Sequence, residues 1–355
     1  MRGMARWVGA VFPGLESLSP AYFAMVMATG IVSLAAQMYG RSGLAMALLG
    51  LNALMWMVLW GLSLLRMLCY PRRFFGDMTD HLRGPGFFTT VAGTAILGSQ
   101  LIVLQANYSW ALLLWGLSLA LWLVLTYGIF AALIIKQDKP TLDRGISGAW
   151  LLAVVSAQSL AVLAALLAAH AGQPWKLALN FFALSMWLWG GMLYIWMASL
   201  IFYRYTFFAF SPGDLQPPYW INMGAMAIST LAGSLLIANA PDAPFLYPLL
   251  PFLKGFTVFY WATGSWWVPM LLVLAVWRYV LRRFPLKYDP MYWGAVFPLG
   301  MYAASTHEMA RVLGLDFLGF LPPIFLVAAG LAWLAAFFGL ARQLLGRVRQ
   351  AAQRA

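Results

Sequence analysis

The stretch PAYFAMVMATG, Pro20–Gly30, is the first of five related stretches whose reading decides the fold. The others are PGFFTTVAGTA from Pro85, GAWLLAVVSAQ from Gly148, PPYWINMGAMA from Pro217 and PMYWGAVFPLG from Pro290, with starts 65, 63, 69 and 73 residues apart. Counted from each start, position +2 holds Tyr22, Phe87, Trp150, Tyr219 or Tyr292, and +3 holds Phe23, Phe88, Leu151, Trp220 or Trp293. Proline suits the first turn of a helix, where its missing N–H is no loss. Tyr and Trp gather at the headgroup level of any membrane protein. Those two rules explain the starts but not the rest of the match. Position +4 is Ala24, Thr89, Leu152, Ile221 or Gly294, and +8 is Ala28, Gly93, Ser156, Ala225 or Pro298. The two positions share a face at helical spacing. Small residues there mean either close helix packing or, in five parallel helices from equivalent units, the wall of a central lumen. A hairpin repeated five times is the signature of a stacked or ring architecture.

Around these stretches the chain is apolar throughout. Of 355 residues, 63% are hydrophobic and 9% charged, against about a quarter charged in soluble domains. Runs of about 20 apolar residues, the length of one membrane crossing, recur along the chain. They place ten spans near 20–39, 44–68, 86–105, 110–135, 148–170, 177–203, 218–239, 251–281, 290–312 and 317–344. The eighth carries Gly264 and Pro269 internally, which predicts a kink or tilt. The fold class read here is an all-α integral membrane protein, with residues 20–345 as one ten-span domain. Residues 1–19 read as a cytoplasmic segment near the lipid surface and 346–355 as a basic cytoplasmic tail. The net charge of +12 does not mark a nucleic-acid partner, because the basic residues sit in short loops between apolar runs. Eighteen of the 22 Lys and Arg fall in alternate segments that include both termini; Arg41, Lys176, Lys254 and Arg311 fall on the other side. By the positive-inside rule both termini are cytoplasmic. Cys69, the single cysteine, forms no intrachain disulfide.

Five like-oriented helices would bring five N-termini to one mouth, each carrying about half a positive charge when isolated. That funnel favours anions without a buried lysine. Thr89, Thr94, Ser156 and Asn222 are candidate hydrogen-bond donors along it. Phe297 stands at +7, where the equivalents are Met27, Ala92, Val155 and Gly224. An aromatic ring at that depth, followed by Pro298, either plugs a narrow lumen or packs in the core. In the outer third of the ninth span, His307, Glu308 and Arg311 support three readings: a Glu308–Arg311 ion pair at i,i+3, proton uptake by His307 and Glu308, or attraction of anions by Arg311. HEMAR lacks the second histidine of a zinc-protease motif. No metal, cofactor or enzyme activity is read from the chain.

SPAYFAMVMATGIVSLA (Ser19–Ala35), PGFFTT (Pro85–Thr90) and YWGAVFPLGMYAAST (Tyr292–Thr306) resemble the tellurite-resistance/dicarboxylate transporter family over nearly the whole chain. That family takes in fungal malate and sulfite transporters and the slow anion channels of plant guard cells. The resemblance implies five helical hairpins around a central pore, odd helices inside and even helices outside, in a homotrimer in the inner membrane. It implies Phe297 as the pore gate, in the pattern Tyr292, Trp293, Gly294, Phe297, Pro298. With the repeat, it sets Ala24, Ala28, Thr89, Gly93, Ser156, Asn222, Gly224, Gly294 and Pro298 as expected pore lining. Ala24 stands where the family usually has glycine. The expected partners are small anions and membrane lipid. A channel or facilitator and a proton-coupled carrier of dicarboxylate, sulfite or tellurite both fit this reading.

Overall fold

Each apolar run becomes a helix whose length suits the run. The computed structural model describes residues 14–286 and 288–352, with side chains as far as residue 346. Among these residues there is no strand. Ten long helices are numbered α1 (Ala24–Met38), α2 (Ser42–Cys69), α3 (Phe88–Gln105), α4 (Tyr108–Ile135), α5 (Leu152–His170), α6 (Trp175–Phe207), α7 (Ile221–Asn239), α8 (Leu250–Val276), α9 (Trp293–Leu313) and α10 (Leu321–Ala352). Most of the cytoplasmic segment expected at 1–19 lies outside the described residues. So do the side chains of the expected basic tail beyond residue 346, although the backbone of α10 stays helical to Ala352. α8 runs through Pro269 and ends in a π-helical turn, Trp277–Leu281.

Nine helices among the described residues are long and apolar enough to cross a membrane. α9 is not one of them: besides His307 and Glu308 in its outer third, it carries Pro298, two glycines and several aromatic and hydroxyl residues that lower its hydropathy. It packs against α1, α7 and α10, and protein contact of that kind tolerates polar side chains that lipid would not. The even helices show the opposite character. Leu113, Val124, Ile134, Val273 and Leu331 are each more than 60% exposed. Such a surface would aggregate in water and is the natural surface in hydrocarbon. This is a multi-pass membrane protein.

The helices sort into two layers. α1, α3, α5 and α7 have 83% to 94% of their apolar windows buried, against 11% to 50% for α2, α4, α6, α8 and α10. Contacts between the odd helices close on themselves in the order α1–α3–α5–α7–α9–α1. Each even helix lies in the groove between its own odd partner and a neighbouring odd helix. Indole N–H groups tie the layers together. Trp56 of α2 donates to Thr94 of α3, Trp261 of α8 to Thr306 of α9, and Trp333 of α10 to Thr29 of α1, each at 2.9 Å. Trp187 of α6 donates to the Ser229 carbonyl of α7 at 2.8 Å.

Every odd helix begins with a 3₁₀ turn: Pro20–Phe23, Gly84–Phe87, Gly148–Leu151, Pro217–Trp220 and Pro290–Tyr292. These turns also contact one another in closed cyclic order and define the inner end of the bundle. The approach is close. A Cβ on Gly148 would lie 2.5 Å from the Pro218 carbonyl oxygen and 2.6 Å from the Tyr219 nitrogen. Gly148 replaces the proline of the other four starts because backbone of the next turn occupies the side-chain space. Thr89 adds a polar tie, donating to Pro20 O at 3.0 Å and Gly86 O at 2.7 Å.

Gly148→Ala should therefore destabilise the fold by about 1–3 kcal/mol through overpacking against backbone. Gly116→Ala, in α4 with open space around it, should be neutral or stabilising by up to about 1 kcal/mol. Unfolding of both variants in detergent, monitored by circular dichroism, checks the contrast. Equal stability of the two would contradict the close approach.

Candidate functional site: a cavity ringed by five helices

A cavity of about 180 Å³ lies among the odd helices, and each of the five contributes three side chains to its wall. They fall at the same three positions of every repeat. Position +11 is Ile31, Ile96, Ser159, Ile228 and Met301; +14 is Leu34, Ser99, Val162, Leu231 and Ala304; +18 is Met38, Val103, Leu166, Leu235 and Glu308. Steps of three and four residues keep a helix on one face. Five copies of that face turned inward make rings stacked along an axis.

Phe297 at +7 continues this register toward the inner end, one turn before Met301. At about 100° per residue, it lies within about 40° of Met301, Ala304 and Glu308 when α9 is viewed end-on. Its side chain is 1% exposed. Contacts on either flank orient α9. Pro298 fills the space a side chain on Gly224 of α7 would take, its Cγ 2.7 Å from that Cβ position. On the other flank, Ile31 of α1 seats against Gly300 at 2.9 Å by the same measure. Phe297 projects between these two contacts.

The other expected lining residues distribute unevenly. Gly93 meets Val26 and the Phe23 carbonyl of α1 at 3.3–3.4 Å, so with Pro298 and Gly224 it belongs to helix–helix contacts. Ala24 and Ala28 are buried within the bundle. Gly294 has no atom closer than 3.7 Å to its Cβ position. The Ser156 hydroxyl donates to Ala153 O of its own helix at 2.7 Å. Asn222 donates to Tyr219 O at 2.9 Å, and its side-chain oxygen is buried without a partner. Thr94 accepts from Trp56 of α2 and so faces the outer layer rather than the axis. Positions +11, +14 and +18 were not singled out from sequence. The signal that would have found them is continuation of the +4 and +7 register outward in steps of three and four.

The wall is apolar apart from Ser99, Ser159 and Glu308. Both hydroxyls donate back to their own helices, to Ala95 O and Val155 O. Glu308 closes the outer end and is held by Arg311, whose Nε lies 3.1 Å from Oε2 and whose Nη2 also donates to Oε1. The ion pair is therefore present, with Arg311 largely exposed and Glu308 largely covered. His307 sits edge-on to Tyr39, ring centroids 5.6 Å apart. At the inner end none of the five first turns carries an acid, although Asp289 caps the last of them. Among the described residues no group of three His, Cys, Asp or Glu is placed to hold a metal ion.

A polytopic helical bundle with a buried inner layer and an axial cavity belongs to the class of membrane channels and transporters. Comparison with known proteins specifies it further. Residues 17–341 match the voltage-dependent anion channel family, and the chain belongs to that family. The resemblance drawn from the repeat motifs is to the same superfamily. Two uncharacterized transporters of Methanocaldococcus jannaschii are each 25% identical over 335 residues, covering 91% of this chain and 92% and 91% of their own lengths. An uncharacterized membrane protein of Mycobacterium tuberculosis is 39% identical over 117 residues, 33% of this chain and 59% of its own length.

Cysteine labelling tests the register. In a Cys69→Ser background, Ala304→Cys should react with a small water-soluble thiol reagent at least several-fold faster than Ala303→Cys, which faces away from the cavity. Equal rates would contradict an inward-facing +14 position.

Proposed function

We propose that this protein is a passage for small anions, a channel or facilitator, with Phe297 as its steric gate. The observation that carries the proposal is the cavity walled by three registered positions from each of five helices, with Phe297 one turn inward on the same face. On this reading α9 is a tenth span, the ten helices are five repeated hairpins, and the odd helices line the pore. The inner end faces the cytoplasm, as do both termini. Five helix starts there present partial positive charge, which draws anions toward the mouth. The pore lining takes in Ala24, Thr89 and Gly294 at the inner entrance and the rings at +11, +14 and +18 beyond the gate. Arg311 offsets the Glu308 charge at the outer vestibule. The assembly is a homotrimer in the inner membrane, with inorganic anions or C4-dicarboxylates as cargo, including the tellurite and dicarboxylate anions that the family resemblance implies.

Phe297→Ala should raise anion flux at least tenfold in reconstituted vesicles, with the variant eluting and unfolding like the parent. Unchanged flux through a folded variant would defeat the gating role.

A second reading is favoured by Glu308, the one carboxylate on the cavity wall: a carrier that moves a proton with a dicarboxylate, sulfite or tellurite anion. It requires that a pH gradient drive accumulation and that Glu308→Gln abolish this. Flux that follows only the anion's own electrochemical gradient, with Glu308→Gln still conducting, would leave the channel reading standing alone.

A further inference from the structure

Three even helices end alike at the inner end. Arg66, Arg204 and Arg278 each lie three residues before the helix ends at Cys69, Phe207 and Leu281. All three are at least nine-tenths buried, and each guanidinium sits over a phenylalanine ring, Phe74, Phe210 or Phe284, at 5.7, 5.2 and 4.2 Å. Two of them have an acid. Arg66 pairs with Asp77 at 2.6 Å and Arg204 with Asp214 at 3.3 Å. Both also donate to a main-chain carbonyl, Glu16 O and Asp143 O.

Arg278 breaks the pattern. The acid at the matching distance along the chain is Asp289, and its carboxylate instead accepts from the Met291 N–H at 2.8 Å, capping the start of α9. Among the described residues no carboxylate forms an ion pair with Arg278, and its Nε is buried without a hydrogen-bond partner. A buried charge is costly to leave without a partner and hydrogen-bond acceptors. Contact with the rings of Phe284 and Tyr279 supplies part of that support but no hydrogen-bond acceptor for Nε.

A cavity of about 130 Å³ adjoins this guanidinium, room for about four waters at ~30 Å³ each. It is bordered by Gln216, the first turn of α7 and the paired phenols of Tyr279 and Tyr292, whose oxygens are 2.8 Å apart. One phenol donates to the other, so the acceptor's own proton is available to a third group. The starts of α7 and α9 both reach this cavity, and helix starts favour anions.

We infer that Arg278, with Tyr279 and Tyr292, forms a binding site for a phosphate-type oxyanion beside the axis, standing in for the carboxylate that the other two arginines have. The group is either free phosphate or the headgroup of an anionic lipid, since both present the same oxygens to a guanidinium fork. The site is independent of the axial passage and of Phe297.

The test uses the purified full chain in uncharged detergent at constant ionic strength, with two probes: inorganic phosphate by titration calorimetry, and phosphatidylglycerol by native mass spectrometry. The parent should bind one of them saturably at one per chain. Saturation by inorganic phosphate identifies a free anion; retention of phosphatidylglycerol alone identifies a lipid. Arg278→Gln should weaken that binding at least tenfold, and Phe297→Ala should leave it unchanged. Arg278→Lys, which keeps the charge but loses the fork, should weaken it several-fold and serves as a second variant if Arg278→Gln does not fold. Absence of binding by the parent, parent-level affinity in the Arg278 variants, or equal loss in Phe297→Ala would overturn the proposal.

Discussion

The rest of the structure depends on how closely five 3₁₀ turns approach one another at the inner end. At Gly148 the Pro218 carbonyl oxygen lies 2.5 Å from the position a Cβ would take. The contacting turns hold the five helix starts in a ring, and at Gly148 the approach leaves no room for a side chain. From that fixed ring the helices run outward, and their small residues set the spacing. Gly93 against Val26, Pro298 against Gly224 and Ile31 against Gly300 are each a bulky group seated where a neighbour has no side chain. Once these contacts set the rotation of each helix, its +11, +14 and +18 side chains have only the axis to face.

The outer layer follows from the same constraint. Helices held in a ring leave grooves on the outside, and the even helices occupy them. In hydrocarbon there is little hydrophobic drive between two apolar helices, so packing and hydrogen bonds decide how they seat. The indoles of Trp56, Trp187, Trp261 and Trp333 each donate from the outer layer to the inner one. Such bonds average about 0.6 kcal/mol in a bilayer, so they specify register more than they hold the layers together. The exposed sides of α4 and α10 are mostly large apolar residues such as Leu113, Val124, Ile134 and Leu331.

This division explains what was legible from sequence. Helix number and approximate limits could be read because apolar length and the proline–aromatic starts are local signals. Family membership followed from the same motifs. Helix rotation is not local. The small residues at +8 are equally at home on a lumen wall and in a helix contact, and Gly93 and Pro298 prove to be in contacts. Thr94 could not be assigned to the outer layer without knowing that Trp56 reaches it from another hairpin. The arginines at the even-helix ends looked like ordinary positive-inside residues. Only the side-chain partners distinguish Arg278 from Arg66 and Arg204.

The axis itself has a polarity that bears on the proposed passage. Helix starts at the inner end favour an anion, while the five helix C-termini at the outer end carry the opposite partial charge and Glu308 adds to it. Arg311 binds that carboxylate through both of its oxygens, which removes most of the barrier without placing a free cation on the axis. The cavity between offers two hydroxyls whose protons are already given to their own helices. A wall of this kind replaces little of an ion's hydration, so it binds weakly. Conduction needs binding favourable enough for an ion to enter and weak enough for it to leave, and an apolar wall meets the second condition. The same wall is a poor place to trap an anion long enough for a conformational cycle. On the proposed reading, the apolar lining favours a gated passage over a carrier, with Phe297 as the element that would decide whether anything passes.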